Sequence, residues 1–281
     1  MDTHQQLYTD TCLEASRLIT ERYSTSFTLG IKTLDKKFHK AIFGIYGFVR
    51  FADEIVDTFH DHDKATLLNR FREDTFEAIE QGVSFNPVLH SFQWAVNTYK
   101  IDHSHIEAFL HSMQLDLTED TYDEKGYREY IWGSADVVGL MCLRVFVEGD
   151  DEQYQALEAP AIALGSAFQK VNFLRDLRSD YYDRGRVYFP GTRFETFDEA
   201  RKREIEADIQ ADFDKAFEGI KRLPKGAKLG VYLAYTYYLK LFEKIKKASP
   251  KTVQENRIRI PDGRKMSLLL MTYLRSKLNL I

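Results

Sequence analysis

Residues 41–57, AIFGIYGFVRFADEIVD, place Ile42, Phe43, Ile45, Phe48, Val49, Phe51, Ile55 and Val56 in almost every helical direction. A helix that is apolar nearly all round is a buried helix. Yet Tyr46, Arg50, Asp53 and Asp57 follow at i, i+4, i+7 and i+11, a single stripe. Buried charges are costly unless they are paired or bind a metal. The segment therefore predicts an interior helix whose one polar face looks into a cavity. Residues 161–180, AIALGSAFQKVNFLRDLRSD, repeat the pattern. Here Gln169, Asn172, Asp176 and Asp180 fall at i, i+3, i+7 and i+11, with Arg175 at the edge of the stripe.

The rest of the chain suits a helical protein that can bury such helices. Only 6 Pro and 15 Gly interrupt 281 residues, and the apolar pattern is helical rather than alternating. Helices are expected at 5–22, 37–60, 64–81, 86–99, 103–118, 124–148, 151–180, 196–221, 226–247 and 263–279. Pro160 is expected to bend or restart the seventh of these. Residues 181–195 break the pattern and read as an ordered loop or lid. No repeat, linker or composition shift divides the chain, so 1–281 reads as one all-α domain.

Composition excludes several function classes. The net charge is −4, and no basic block resembles a nucleic-acid footprint. Cys12 and Cys142 are too few for a disulfide framework and lack zinc-finger spacing, which fits a reduced cytoplasm. The eight histidines show no metal-ligand spacing, and His60 and His62 read as a solvated helix end. The start of the chain lacks a signal-peptide pattern. The apolar stretches 229–242 and 267–274 fall short of the ~20 residues of a membrane helix. Peripheral contact with a membrane is compatible with these stretches, and oligomeric state is not legible.

Spacing alone does not pick out a site. Asp-x-x-x-Asp occurs at 53/57, 57/61, 116/120, 176/180 and 208/212. Like charges at i,i+4 destabilise a helix by only a few tenths of a kcal/mol, so most such pairs are solvated faces. Around the 208/212 pair, Ile205, Ile209, Phe213 and Phe217 form one apolar stripe with charges over the rest, which reads as an amphipathic surface helix. Only 53/57 and 176/180 sit inside polar stripes on otherwise apolar helices. Carboxylates with Arg50 and Arg175 nearby suit an anion bridged by magnesium, a hard ion held by a few carboxylates, water and phosphate oxygens. A two-carboxylate glycosidase needs only two acids and a sugar groove, which the two repeated stripes fit poorly.

At these residues the chain resembles the squalene and phytoene synthase family. YGFVRFADEIVD, from Tyr46 to Asp57, is similar to the first aspartate-rich motif of that family. QKVNFLRDLRSD, from Gln169 to Asp180, matches its Gln-x-x-Asn-x-x-Arg-Asp-x-x-x-Asp signature. STSF (Ser24 to Phe27), YIWGSADVVGLM (Tyr130 to Met141), RGRVYFP (Arg184 to Pro190) and RIRIPDGRK (Arg257 to Lys265) follow in the expected order. The likeness covers nearly the whole chain. It departs at an extra residue between Asp180 and RGRVYFP, at the tyrosines there, and at Phe189, where leucine is usual.

The resemblance implies a bundle of helices around a deep central cavity, the isoprenoid synthase type. It implies head-to-head joining of two prenyl diphosphates through a cyclopropyl diphosphate. Two geranylgeranyl diphosphates giving phytoene, for carotenoid synthesis, is the leading expectation. Squalene or dehydrosqualene from farnesyl diphosphate, and a non-catalytic assembly protein on the same fold, are the alternatives. The short chain without an anchor points to a bacterial-type enzyme. A terpene cyclase acting on one diphosphate would show a denser acidic motif and an asymmetric partner motif.

The resemblance also implies roles. Asp53, Asp57, Asp176 and Asp180 would hold magnesium, with manganese as a substitute, and NADPH is not expected for a phytoene synthase. Arg50, Arg175, Arg186 and Arg257 would grip diphosphate, and Gln169 and Asn172 would orient the assembly. Tyr46, Tyr130, Tyr188 and Tyr238 would stabilise cations, and Ser26 and Phe27 would bound the substrate space. Gly133, Ser134, Ala135 and Gly139 either leave room for prenyl tails or serve close helix packing. Arg184 reads as a surface partner of Asp183.

Overall fold

The computed structural model describes residues 3–260, in which helices α1 to α12 follow one another with no strand among the described residues. They are α1 (Thr3–Tyr23), α2 (Thr25–Lys32), α3 (Lys36–Asp57), α4 (Lys64–Gln81), α5 (Pro87–Tyr99) and α6 (His103–Thr118). Then come α7 (Glu124–Ile131), α8 (Val137–Phe146), α9 (Asp151–Arg184), α10 (Glu199–Arg222), α11 (Lys225–Lys246) and α12 (Pro250–Glu255). Most starts are written in the sequence as side-chain caps. Asp63, Asn86, Asp102, Asp123, Asp150 and Asp198 each accept a hydrogen bond from a backbone N–H of the first turn.

The two striped helices are central. Phe48 of α3 is fully buried and stacks on Phe92 of α5 with ring centroids 3.9 Å apart. On α9, Val171 and Leu174 are fully buried in a second core shared with Phe213 of α10 and Phe242 of α11. Glycine lets α9 approach its neighbours closely. A Cβ on Gly165 would stand 2.9 Å from the Ala135 carbonyl oxygen, and one on Gly219 would stand 2.2 Å from Pro160 Cβ.

The expected helices are present, with corrections. Helix α9 is not restarted at Pro160. Proline removes the N–H that would satisfy the Ala156 carbonyl, and Arg222 Nη2 donates to that oxygen instead, at 3.0 Å. Nor does α9 stop at Asp180. It runs one further turn to Arg184 and is closed by Gly185 at φ 70°, so the expected lid begins later. The helix expected over 124–148 runs without a break from Glu124 to Phe146 through α7 and α8, but its turn widens at Trp132–Asp136, where Gly133 is pressed on α6. A Cβ there would lie 2.4 Å from the Ala108 carbonyl oxygen, so Gly133 serves packing. Helix α2 was not expected; Ser24 caps it by accepting from the Phe27 N–H. The short α12 was also unforeseen. The expected helix over 263–279 lies outside the described residues, as does RIRIPDGRK beyond Ile260. No helix among the described residues is long and apolar enough to cross a membrane.

Candidate active site

A cavity of about 730 Å³ runs between α2, α3, α6, α8, α9, α10 and α11. The four residues of the α3 stripe and the four of the α9 stripe all line it. So do Ser26, Phe27, Tyr130, Arg175, Arg186, Tyr188, Tyr238 and Arg257. Thus the sequence-expected residues, scattered over more than 200 positions, meet around one space. Ser134, Ala135 and Gly139 also line it, whereas Gly133 does not.

The acidic end of the cavity is threaded with arginines. Arg50 Nη2 lies 3.3 Å from Asp53 Oδ2 and 3.5 Å from Glu54 Oε1, while its Nε is buried without a partner. Asp176 accepts from Arg175 Nε at 3.1 Å and faces Arg257 Nε at 2.7 Å. Arg184 Nη2 donates to Asp57 Oδ2 at 2.9 Å, and its Nη1 reaches Asp180 Oδ1 at 3.4 Å. Arg184 is therefore not a surface partner of Asp183. It joins the two acidic motifs.

Below this layer lies a buried polar cluster centred on Asp116 of α6. Tyr130 Oη donates to Asp116 Oδ2 at 2.8 Å, and Arg186 Nη1 pairs with Asp116 Oδ1 at 2.9 Å. Arg186 also donates to the Asp116 carbonyl oxygen and lies close to the Tyr188 hydroxyl. Tyr188 stacks on Phe173, with centroids 4.1 Å apart, and packs against Tyr130 at 5.1 Å. On the other wall Tyr238 stacks on Phe168 at 4.0 Å, and its hydroxyl donates to Asn172 Oδ1 at 3.3 Å. Phe27 is 41 % exposed and leans on Tyr46 at the rim, with centroids 5.7 Å apart.

Electrostatics follow from enclosure. Burial pushes Asp53 up to about 7, against the pull of Arg50 and with help from Asp57 and Asp116. About a third of the Asp53 side chain (34 %) is free of protein contact. That free surface lines the cavity. Burial likewise raises Asp180 to about 7, and Asp116 to about 6 against the pull of Arg186. Burial holds Tyr130 well above the ordinary phenol range, so its hydroxyl keeps its proton and acts as a donor.

Carboxylates crowded in this way favour a divalent cation, and an all-oxygen donor set is the kind magnesium takes. As the side chains stand, each is turned to a guanidinium, and among the described residues no three His, Cys, Asp or Glu side chains converge on one point. The residue types fit a metal–diphosphate assembly once those guanidiniums exchange partners.

Two residues of the site were missed by sequence reasoning. Arg184 continues the α9 stripe four residues past Asp180, a signal hidden by ending the helix too early. Asp116 follows the buried row Phe109 and Met113 at helical spacing, so an acid at the end of an apolar stripe was the available cue. The 208/212 pair also needs correction. Asp208 and Asp212 both pair with Lys170 Nζ, at 2.5 and 2.7 Å, so this face of α10 is packed on α9 rather than wholly solvated.

The squalene/phytoene synthase family model matches residues 20–264. A 4,4'-diapophytoene synthase from Staphylococcus haemolyticus is 26% identical over 201 residues, covering 69% of this chain and 67% of that one. A phytoene synthase from Arthrospira platensis is 28% identical, covering 94% of this chain and 93% of its own length. Among solved structures, a dehydrosqualene synthase superposes with a TM-score of 0.79 at 22% identity, covering 96% of this chain and 99% of that one. A squalene synthase from Alicyclobacillus acidocaldarius superposes at 0.74 and 21% identity, covering 86% and 95%. These last two likenesses establish the fold.

Proposed function

Since the chain belongs to the squalene/phytoene synthase family, a prenyltransferase family of head-to-head condensation, we propose that it joins two geranylgeranyl diphosphates to give phytoene. The observation that carries the reading is the polarity of the cavity. One end gathers Asp53, Asp57, Asp176 and Asp180 with five arginines, and the remainder is mostly apolar.

Chemistry is divided along that axis. Asp53, Asp57, Asp176 and Asp180 would hold magnesium, which supplies charge neutralisation for the departing diphosphate. Arg50, Arg175 and Arg257 stand beside these carboxylates and present planar donors that match phosphate oxygens. Gln169 and Asn172 sit on the same face as Asp176, where their amides orient the bound anion. Once diphosphate leaves, an allylic cation remains that water would quench. Tyr46 and Tyr238 offer aromatic faces to it, Tyr188 lines the cavity with its ring stacked on Phe173 and Tyr122, and Phe27 narrows the rim against solvent. Tyr130, pinned by Asp116, presents its ring with its hydroxyl turned away into the buried cluster.

The cavity is long enough to hold geranylgeranyl tails. From Asp176 to Leu157, both of which line it, α9 rises ~28 Å at 1.5 Å per residue. An extended C20 prenyl chain measures about 20 Å at ordinary carbon–carbon bond lengths. Loss of a proton ends the phytoene sequence, so no reductant is consumed.

Product analysis tests this directly. The protein with magnesium and geranylgeranyl diphosphate is expected to give phytoene without NADPH. Formation of dehydrosqualene or squalene from farnesyl diphosphate, with no phytoene from the longer substrate, would overturn the chain-length assignment.

A further inference from the structure

Arg184 differs from every other arginine at the acidic end. Arg50 and Arg175 pair with acids of their own helix. Arg186 is 10 % exposed and tied to both the carboxylate and the carbonyl of Asp116. Among the described residues, Arg184 alone makes ion pairs to both motifs, Asp57 of α3 and Asp180 of α9. Its side chain is 43 % exposed while that of Asp180 is 6 % exposed, so it reaches in from the rim over a buried acid. It is also the last residue of α9, directly before Gly185 at φ 70°. No helical turn beyond it packs the side chain in place.

We propose that Arg184 is a place-holding counter-ion: its guanidinium takes the bridge between Asp57 and Asp180 that a divalent cation would take, and passes to the diphosphate when that cation binds. This rests on the metal–diphosphate reading of the cavity. One positive charge shared by two carboxylates leaves them under-compensated, which a divalent ion corrects. The displaced guanidinium then stands beside the anion that arrives with the metal, and its planar fork suits phosphate as well as carboxylate. The exchange keeps the motifs from repelling one another before substrate arrives, and makes metal and diphosphate binding mutually dependent through Arg184.

The test is Mn²⁺ binding to the full chain, followed by electron paramagnetic resonance of the free ion, with and without inorganic pyrophosphate. In the unaltered protein, pyrophosphate is expected to tighten Mn²⁺ binding strongly. In Arg184→Gln, Mn²⁺ alone should bind about tenfold tighter, because its competitor is gone, and the tightening by pyrophosphate should shrink about tenfold. Arg184→Lys keeps the charge but cannot fork across two acids, and should fall between the two. Should Arg184→Gln fail to fold, Arg184→Lys decides: Mn²⁺ affinity no higher than in the unaltered protein overturns the proposal. Equal or weaker Mn²⁺ binding by a folded Arg184→Gln does the same, leaving the metal–diphosphate reading standing. Absence of Mn²⁺ binding by the unaltered protein even with pyrophosphate overturns both.

Discussion

Helix α9 carries ionisable clusters on two faces, and their contrast explains what a carboxylate pair can become. On the cavity side, Asp176 and Asp180 share space with Asp53, Asp57 and Asp116, and arginines reach them partly from the rim. On a neighbouring face, Asp208 and Asp212 of α10 close on Lys170, whose side chain is 11 % exposed. Nearby, Asp136 accepts a hydrogen bond from Ser166 Oγ at 2.8 Å. Both clusters use the same Asp-x-x-x-Asp spacing. The rear pair is satisfied by one fixed ammonium at a helix–helix contact, with Asp208 left largely solvated. The front pairs surround a volume that protein atoms leave open, so their charge is available to a ligand.

The largest effect should come from breaking the front cluster. Asp53→Asn is expected to lower turnover roughly a thousandfold, about 4 kcal/mol of transition-state stabilisation, with the melting temperature held or raised. Steady-state rates and thermal melts together check it. A fall in rate matched by unfolding would erase the distinction between the faces.

The next effect is a pH dependence of stability from the rear. Burial raises Asp136 to about 7, against the Ser166 hydrogen bond and the Lys170 charge and with repulsion from Asp212. The folded state therefore binds this proton more tightly than the unfolded chain. The benefit is complete below about pH 4, declines as pH rises, and is gone above about pH 7. Asp136→Asn should flatten that slope, removing on the order of 4 kcal/mol of variation across the window. Denaturant melts at several pH values measure it, and an unchanged slope would contradict the assignment.

A smaller loss is expected from the Lys170 clamp. Asp208→Asn with Asp212→Asn leaves a largely buried ammonium without its carboxylates. The cost should be about 2 kcal/mol, below the usual range for a buried pair because Asp208 is mostly solvated. Turnover per folded molecule should not change. The smallest effect is the sharpest comparison: adding Lys170→Met to that double variant should restore stability to within ~1 kcal/mol of the unaltered protein. No replacement of that kind should rescue the front cluster, whose charge serves a ligand rather than the fold.

Helix existence was legible because apolar periodicity and caps are local. The α3 stripe emerged as read, since Phe48 and Ala52 are fully buried while Arg50 and Asp53 face the cavity. Helix ends and breaks were less legible. Pro160 is tolerated because Arg222, more than sixty residues away, satisfies the carbonyl it frees. The turn at 132–136 follows from how closely Gly133 meets α6. Neither cause is local.

The sequence by itself determined an all-α chain, two buried helices with polar stripes, and the residues that would line a shared site. It did so because side-chain direction on a helix follows from position alone. Tertiary structure decided which acids face which bases: Asp116 under Tyr130 and Arg186, Arg184 across Asp57 and Asp180, Lys170 between Asp208 and Asp212. Those pairings join residues distant in the chain, and only packing brings their charges within a few ångströms.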